Sequence, residues 1–200
     1  MSPQRRKTVY LAVKRALDVL AAALGLVLCA LPVAVMALLI LAEDGGPVLF
    51  AQERVGRYGK IFRMYKLRTL KKTAPPNAPA GQIDQRAAST KVGWFLRRTS
   101  LDELPQLVNV LKGDMSLVGP RPLIPEETDI HNMRMDRGVY ALRPGLTGLA
   151  QIHGRDRIGP EEKIAWDVCY ARAVSLKTDI DILCRTVSSV IHDAKQNDGI

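Results

Sequence analysis

The segment ALDVLAAALGLVLCALPVAVMALLILA, residues Ala16 to Ala42, decides how the rest of the chain is arranged. After Asp18 it holds twenty-four uncharged and almost wholly apolar residues. A helix rises about 1.5 Å per residue, so this run is long enough to cross a hydrocarbon core of about 30 Å. It is longer than the apolar core of a typical signal peptide, and no A-x-A-like cleavage site follows it. We therefore predict a retained membrane segment.

Basic residues lie on both sides of this segment. Five precede it, and eight lie between Arg54 and Lys72. The positive-inside rule favours the cytosol for both flanks, which one straight span does not allow. Pro32 lies near the middle of the run, where proline breaks or kinks a helix. From the residues alone two topologies stay open: a helix-break-helix that returns to the same membrane face, and a Pro-kinked single span.

The bulk composition is that of one folded domain. The 200 residues are 47% hydrophobic and 24% charged, which is enough for a packed core. The formal charge of +9 suggests a polyanionic partner such as nucleic acid, anionic lipid or phosphorylated small molecules. The three cysteines are widely spaced and form no ligand pattern with the three histidines, so neither a disulfide framework nor a zinc site is predicted.

Beyond the membrane segment the pattern changes to short strands and helices. Val48 to Gln52 and Lys60 to Leu67 flank a Gly-rich turn and predict a β-hairpin. Near the C-terminus, residues 178–192 have apolar side chains at helical spacing, which predicts a helix that packs on the core or lies on the bilayer. Those side chains are Ile180, Leu183, Val187, Val190 and Ile191.

A pair of adjacent acids marks the stretch TSLDELPQLVNVLKGDMSLVGPRP, Thr99 to Pro122. The simplest interpretation of Asp102 and Glu103 is a capping box, with Ser100 as the N-cap of a helix that ends at a glycine. In that case the acids would only complement the helix dipole.

The basic surroundings of the pair favour a second interpretation. A helix N-terminus attracts phosphate, and Arg97 and Arg121 would add bidentate contacts. Two carboxylates at such a place repel phosphate unless a divalent cation or a reaction intervenes. The pattern therefore indicates a carboxylate nucleophile beside Mg²⁺.

Four motifs in order carry a resemblance to a known family. LDELPQL (101–107) and GDMSLVGPRP (113–122) are preceded by YKLRTL (65–70) and followed by RPGLTGLAQIHGR (143–155). This arrangement resembles the bacterial sugar transferase family, the monotopic phosphoglycosyl transferases. The likeness covers nearly the whole chain, and the length is similar to that of the small members.

The resemblance implies a reaction and the residues that perform it. Members transfer a sugar phosphate from a UDP-sugar to polyprenyl (undecaprenyl) phosphate and release UMP, as the first membrane step of glycoconjugate synthesis. By likeness, Asp102 would form a covalent aspartyl-phosphosugar with Mg²⁺ at its carboxylate, and Glu103 would be its acidic partner, with proton transfer as one role. The residues expected to bind substrate phosphate are Arg121, Arg97, Lys66, Arg68, Arg143 and Arg155.

The resemblance also implies the architecture. We expect a predominantly helical α+β protein with a re-entrant helix-break-helix at Pro32, a small β-hairpin and interfacial amphipathic helices. Residues 1–42 would form the basic N-terminus and membrane helix, and residues 43–200 the catalytic domain on the cytosolic face of the bacterial inner membrane. Whether the protein forms a homo-oligomer, and which UDP-sugar it uses, stay open.

The alternative from another class is a membrane-tethered basic protein that binds anionic lipid or nucleic acid without catalysis. Charge is its only support, and the sequence contains no recognisable nucleic-acid module. We therefore expect no nucleic-acid partner.

Overall fold

The structure is a computed structural model that describes residues 3–74, 84–154 and 158–196. Helices predominate there, as predicted, together with two small sheets of two strands each. The helices are α1 Pro3–Asp44, α2 Gln85–Ala88, α3 Lys91–Thr99, α4 Gln106–Lys112, α5 Thr128–Asp136, α6 Leu149–Ile152, α7 Pro160–Ala173 and α8 Leu176–Gln196. The strands are β1 Leu49–Val55, β2 Ile61–Leu67, β3 Ser116–Val118 and β4 Gly145–Thr147.

Helix α1 keeps most of its apolar side chains on the surface. Its segment Val9–Asp44 is long and apolar enough to cross a membrane, and only 11% of its most apolar stretch is buried. A helix in the core of a water-soluble protein would instead be covered by its neighbours. Six leucine and valine side chains in the run are at least 60% exposed: Leu20, Leu24, Val27, Leu28, Leu31 and Leu38. So large an apolar surface is typical of contact with lipid.

The structure has one helix where two helices separated by a break were predicted. Pro32 lies inside α1, which runs without interruption from Pro3 to Asp44. A proline removes only its own main-chain donor, and the residues on either side of it remain helical here. The predicted break is thus not confirmed, and the re-entrant path through the membrane stays a prediction.

The part of α1 that precedes the apolar run is anchored to the rest of the chain by buried polar contacts. The Lys14 ammonium lies 2.6 Å from the Asp179 carboxylate of α8. One turn later, the Asp18 carboxylate accepts a hydrogen bond from the Ser116 hydroxyl at 2.7 Å. Because Lys14, Asp18 and Asp179 are all buried, these contacts fix the start of α1 on the rest of the chain.

The end of α1 is anchored to the rest of the chain as well. Ile40 is fully buried and packs in one cluster with Leu67 of β2 and Leu96 of α3. The Asp44 carboxylate at the last residue of the helix accepts a hydrogen bond from Arg68. Both flanks of the apolar run therefore contact the folded part of the chain that follows α1.

The predicted β-hairpin is confirmed. β1 and β2 pair in antiparallel fashion from Leu49 opposite Leu67 to Val55 opposite Ile61. The connecting turn needs a left-handed backbone at Tyr58 and Gly59, which have φ angles of 59° and 75°. Since side chains alternate along a strand, Lys66 lies on the same face as buried Met64 and is directed toward the core side of the sheet.

Ser100 ends α3 and does not cap the next helix. Its backbone is left-handed, with φ 57° and ψ 17°, and its side chain makes no capping hydrogen bond. An N-cap residue needs an extended backbone, so the capping-box interpretation of Ser100 and Glu103 is wrong. The two acids lie in a 3₁₀ turn, Leu101–Glu103, and α4 begins after Pro105.

The predicted C-terminal helix is confirmed. Ile182 is fully buried, whereas a second stripe of apolar side chains is exposed. The exposed stripe consists of Leu176, Ile180, Leu183 and Val187. Of the two predicted roles, packing on the core or lying on the bilayer, the exposure of Ile180, Leu183 and Val187 favours the second. The side chains of Val190 and Ile191 lie outside the described residues.

Candidate active site

A buried asparagine fixes the acidic turn against the β-hairpin. Asn109 of α4 is fully buried. Its side-chain oxygen accepts a hydrogen bond from the Tyr65 N–H at 3.1 Å, and its amide donates to the Arg63 carbonyl at 2.7 Å. These bonds hold α4 on β2, and hence the preceding turn beside Lys66. Our sequence interpretation missed Asn109, although an amide inside the apolar run LVNVL is a signal of such a contact.

Glu103, the second acid of the pair, is neutralised by cations. The Lys66 ammonium lies 2.7 Å from its carboxylate, and the Arg121 guanidinium lies 3.4 Å from the same oxygen. Lys66 comes from β2 and Arg121 from the segment after β3, so three separate parts of the chain meet here. Lys66, Glu103 and Arg121 are thus brought together as the sequence predicted.

Asp102, the first acid, is buried without such a partner. The residue is only 7% exposed, and the causes that act on its pKa include cations but no hydrogen bond from a described residue. Its carboxylate oxygens are not among the fully buried atoms that lack a partner, so they lie at the surface of the site. Burial raises the pKa of Asp102 to about 6; Lys66 opposes this increase, Glu103 adds to it, and Arg97 and Arg121 oppose it. The carboxylate is therefore ionised at neutral pH and has oxygen lone pairs available to a ligand.

Arg54 is a further cation close to Arg121. Burial, with the nearby Arg121 charge as the next cause, lowers the pKa of Arg54 to about 10, so its guanidinium is still charged at neutral pH. Arg54 donates to the Gln52 side chain at 2.6 Å, and its field also acts on Glu103. Our sequence interpretation did not assign Arg54 to the site, because its position beside Arg121 depends on the tertiary fold.

The site combines an excess of positive charge with one unpartnered carboxylate. Lys66, Arg97 and Arg121 act on the turn and outnumber its two acids, a balance that attracts phosphate groups. Arg54 adds little to this excess, because Glu126 and Glu127 act on it as well as Glu103. A carboxylate that lacks hydrogen-bond donors retains its full nucleophilicity and charge for a bound electrophile or cation. The arrangement can thus hold a phosphate ester against Asp102.

A family model described as bacterial sugar transferase matches residues 9–193, nearly the whole chain. The chain belongs to the bacterial sugar transferase family. The match runs from the N-terminal part of α1 to α8, so most of α1 and the whole acidic turn lie inside the matched region.

Named relatives of this sugar transferase agree with the assignment. It is 46% identical to a UDP-glucose:undecaprenyl-phosphate glucose-1-phosphate transferase of Caulobacter vibrioides, over 89% of this chain and 69% of that protein. It is 41% identical to the galactosyl transferase CpsE of Streptococcus agalactiae, over 92% of this chain. It is 37% identical to the undecaprenyl-phosphate galactose phosphotransferase of Salmonella typhimurium, over 89% of this chain. The chain spans only 43% and 40% of the last two proteins.

Arg68, a predicted ligand of substrate phosphate, makes its contacts inside the fold. All three of its guanidinium nitrogens donate hydrogen bonds inside the fold, to Asp44 and to the main-chain carbonyls of Asp44, Gly45, Pro47 and Leu70. It is 9% exposed, and it joins the end of α1 to the end of β2. These contacts occupy its donors in this structure, and the role of Arg68 in binding substrate phosphate stays a prediction.

The last two predicted phosphate ligands lie away from the acidic turn or outside the described residues. Arg143 donates through Nε to the Gly113 carbonyl at 2.8 Å, and the charges that act on it are those of Arg57, Arg15 and Asp18 rather than those of the acidic pair. Arg155 lies outside the described residues.

Ionisation of buried Asp102 should reduce the stability of the fold. A pKa of about 6 in the folded state is above the unfolded value near 4, so the stability that protonated Asp102 contributes is lost as the pH rises from about 4 to 6. Without divalent cations, the wild type should lose about 2 kcal/mol of its free energy of unfolding, relative to Asp102→Asn, between pH 4 and pH 8.

Thermal unfolding in detergent at the two pH values measures this difference. Asp136→Asn is the matched control and should show a far smaller change, since Asp136 is exposed. If the free energies of unfolding of Asp102→Asn and the wild type differ by the same amount at both pH values, the raised pKa of Asp102 is contradicted.

Proposed function

We propose that this protein transfers a sugar phosphate from a UDP-sugar to undecaprenyl phosphate, giving undecaprenyl diphosphate sugar and UMP. The observation that carries the proposal is the buried, unpartnered Asp102 carboxylate among cations that bind phosphate. The names of the Caulobacter and Salmonella relatives support the substrate class, since both include undecaprenyl phosphate as the acceptor.

The proposed reaction has two displacements at one phosphorus atom. First, a carboxylate oxygen of Asp102 attacks the phosphorus that carries the sugar, and the bond from that phosphorus to the oxygen of UMP breaks. The product is an aspartyl-phosphosugar. A phosphate oxygen of the acceptor then attacks the same phosphorus, the bond to Asp102 breaks, and the carboxylate is regenerated. Because burial raises its pKa only to about 6, Asp102 is ionised for the first attack at neutral pH.

The neighbouring side chains bind and orient the phosphates. Arg121 is 44% exposed at its side chain, so it can contact a phosphate oxygen while it stays near Glu103. Lys66 is held by Glu103 at 2.7 Å, which fixes one ammonium beside the attacked phosphate. Glu103 is the nearest acid to accept the proton that the acceptor phosphate loses.

The residues fit a Mg²⁺ ion that is shared with the substrate. No group of three or more His, Cys, Asp or Glu side chains that would hold a metal by themselves occurs in the described ranges. Mg²⁺ is usually held by one or two carboxylates together with substrate phosphates, and the unpartnered Asp102 carboxylate is such a ligand. When bound, the ion supplies neutralisation of the diphosphate charge.

A non-catalytic, lipid-binding protein remains the competing function. It would explain the net charge and the exposed apolar helix α1. It gives no reason for the Asp102 carboxylate among the cations of the site, because a binding surface for anions gains nothing from a negative charge there.

Release of UMP from UDP-sugars separates the two functions. With Mg²⁺ and undecaprenyl phosphate in detergent, the wild type should release UMP from at least one member of a panel of UDP-sugars. Asp102→Asn should reduce the rate by roughly 1,000-fold or more, because the nucleophile is lost, and Asp136→Asn is the matched control. A rate for Asp102→Asn within tenfold of the wild type would rule out Asp102 as nucleophile, and no release by the wild type from any UDP-sugar would favour the lipid-binding alternative.

The same proposal places the protein in the inner membrane with its catalytic domain in the cytosol. UDP-sugars are cytosolic, and basic residues flank the apolar run on both sides. The contacts of Lys14 with Asp179 and of Asp44 with Arg68 attach both ends of α1 to one domain, which supports a path that enters and leaves by the same face. The exposed stripe of α8 would rest on that face.

Cysteine labelling in intact cells tests the topology. The native cysteines are removed, and single cysteines are placed before the apolar run, at Ser2, and after it, at exposed Lys60. An impermeant maleimide should modify neither site until the cells are opened, because both flanks are predicted to be cytosolic. Labelling of one site and not the other in intact cells would mean that α1 spans the membrane.

A further inference from the structure

A second basic pocket lies between the start of α1 and the catalytic domain. Its volume is about 280 Å³, and four cations contribute to its lining: Lys14, Arg15, Arg57 and Arg143. Neither acid of the candidate active site lines it, and neither do Lys66, Arg97 and Arg121. The pocket is therefore distinct from the site at Asp102.

The arginines of this pocket make their hydrogen bonds to neutral carbonyl groups. Arg15 donates to the Val110 and Leu111 carbonyls at 2.6 and 2.9 Å, at the end of α4. Arg143 donates through Nε to the Gly113 carbonyl, and Arg57 through Nε to the Ala141 carbonyl, each at 2.8 Å. Carbonyl oxygens satisfy N–H groups but do not cancel a full positive charge.

The acid that lines the pocket is already engaged. Asp18 accepts hydrogen bonds from the Ser116 hydroxyl at 2.7 Å and from the Leu117 N–H at 3.1 Å. Lys14 lies 3.7 Å from Asp18 and 2.6 Å from Asp179, so these acids serve mainly the lysine. The three arginines therefore keep an excess of positive charge.

The arginines also repel one another. Burial lowers the pKa of Arg143, and the charges of Arg57 and Arg15 are the next causes. Among the described residues, the terminal guanidinium nitrogens of Arg57 and Arg143 have no hydrogen-bond partner. An anion in the pocket would relieve the repulsion and accept those N–H groups in pairs.

The position of the pocket indicates that the anion belongs to a lipid. Val13 and Leu17, on the same stretch of α1, are 49% and 44% exposed, and the apolar run follows directly. The lining also contains the apolar side chains Leu11, Val118 and Leu142. Basic pockets beside a membrane helix, at the depth of the headgroups, are suited to lipid phosphates.

We propose that this pocket binds the phosphate group of an anionic lipid and so holds the start of α1 at the headgroup level. The lipid phosphate has two chemical sources, a bilayer phospholipid and the polyprenyl phosphate acceptor. The inference concerns binding alone and does not depend on the reaction at Asp102.

Direct binding to the full chain in a phosphate-free detergent tests the proposal. The probes are dihexanoylphosphatidylglycerol, farnesyl phosphate and inorganic phosphate, titrated by calorimetry against the wild type, Arg57→Gln and Arg63→Gln. Arg63→Gln is the matched control, since Arg63 is exposed on β2 and does not line the pocket. Loss of one charge-assisted contact should raise the Kd of the bound lipid about tenfold in Arg57→Gln and less than twofold in the control.

The three probes assign the source of the phosphate. If the Kd of phosphatidylglycerol rises in Arg57→Gln, the pocket binds a bilayer phospholipid. If the Kd of farnesyl phosphate rises in Arg57→Gln, the pocket binds the acceptor. Acceptor that binds at the acidic pair would depend on Arg121 instead of Arg57. Equal Kd values for wild type and Arg57→Gln with both lipids would overturn the proposal, provided that Arg143→Gln, a second change in the same pocket, also leaves them unchanged. Binding of inorganic phosphate as tight as that of the lipids would overturn the lipid assignment.

Discussion

The burial of the Asp102 carboxylate without a hydrogen-bond donor is the constraint around which the site is built. An ionised group in the interior is unfavourable unless it is paired, yet here the nearest cation, Lys66, makes its short contact with Glu103. Asn109 fixes α4 on β2, and the left-handed Ser100 ends α3, so the turn that carries both acids is held between these elements. Glu103 thereby serves as the counter-charge for Lys66, and Asp102 stays available to a phosphate ester.

The membrane helix and the acidic turn depend on the same contacts. α1 packs along α4, and its Arg15 donates to the last carbonyls of that helix, while its Asp44 binds Arg68 at the end of the strand that carries Lys66. A displacement of α1 in the bilayer would therefore move both elements that position the site. This coupling ties the geometry of the site to the position of α1.

Much of this could be predicted from the sequence, where local patterns decide the outcome. The hairpin and the C-terminal helix follow from periodicity and turn residues, whereas the grouping of Lys66, Glu103 and Arg121 follows from the family resemblance. What could not be predicted depended on tertiary contacts. Arg68 is one residue past Leu67. Its donors are used inside the fold because the end of α1 places the Asp44 carboxylate and the Gly45 carbonyl beside it. Pro32 lies within a continuous helix, because the loss of a single donor did not end it.

The central claim is that Asp102 carries the sugar phosphate covalently, and mass spectrometry tests it most directly. The protein is incubated with Mg²⁺ and the UDP-sugar that it uses, without acceptor, then digested under conditions that preserve acyl phosphates. The account predicts that the peptide with Asp102 gains the mass of one sugar phosphate and loses it when undecaprenyl phosphate is added. Release of UMP that requires the acceptor from the start, with that peptide unmodified at every time point, would contradict the account.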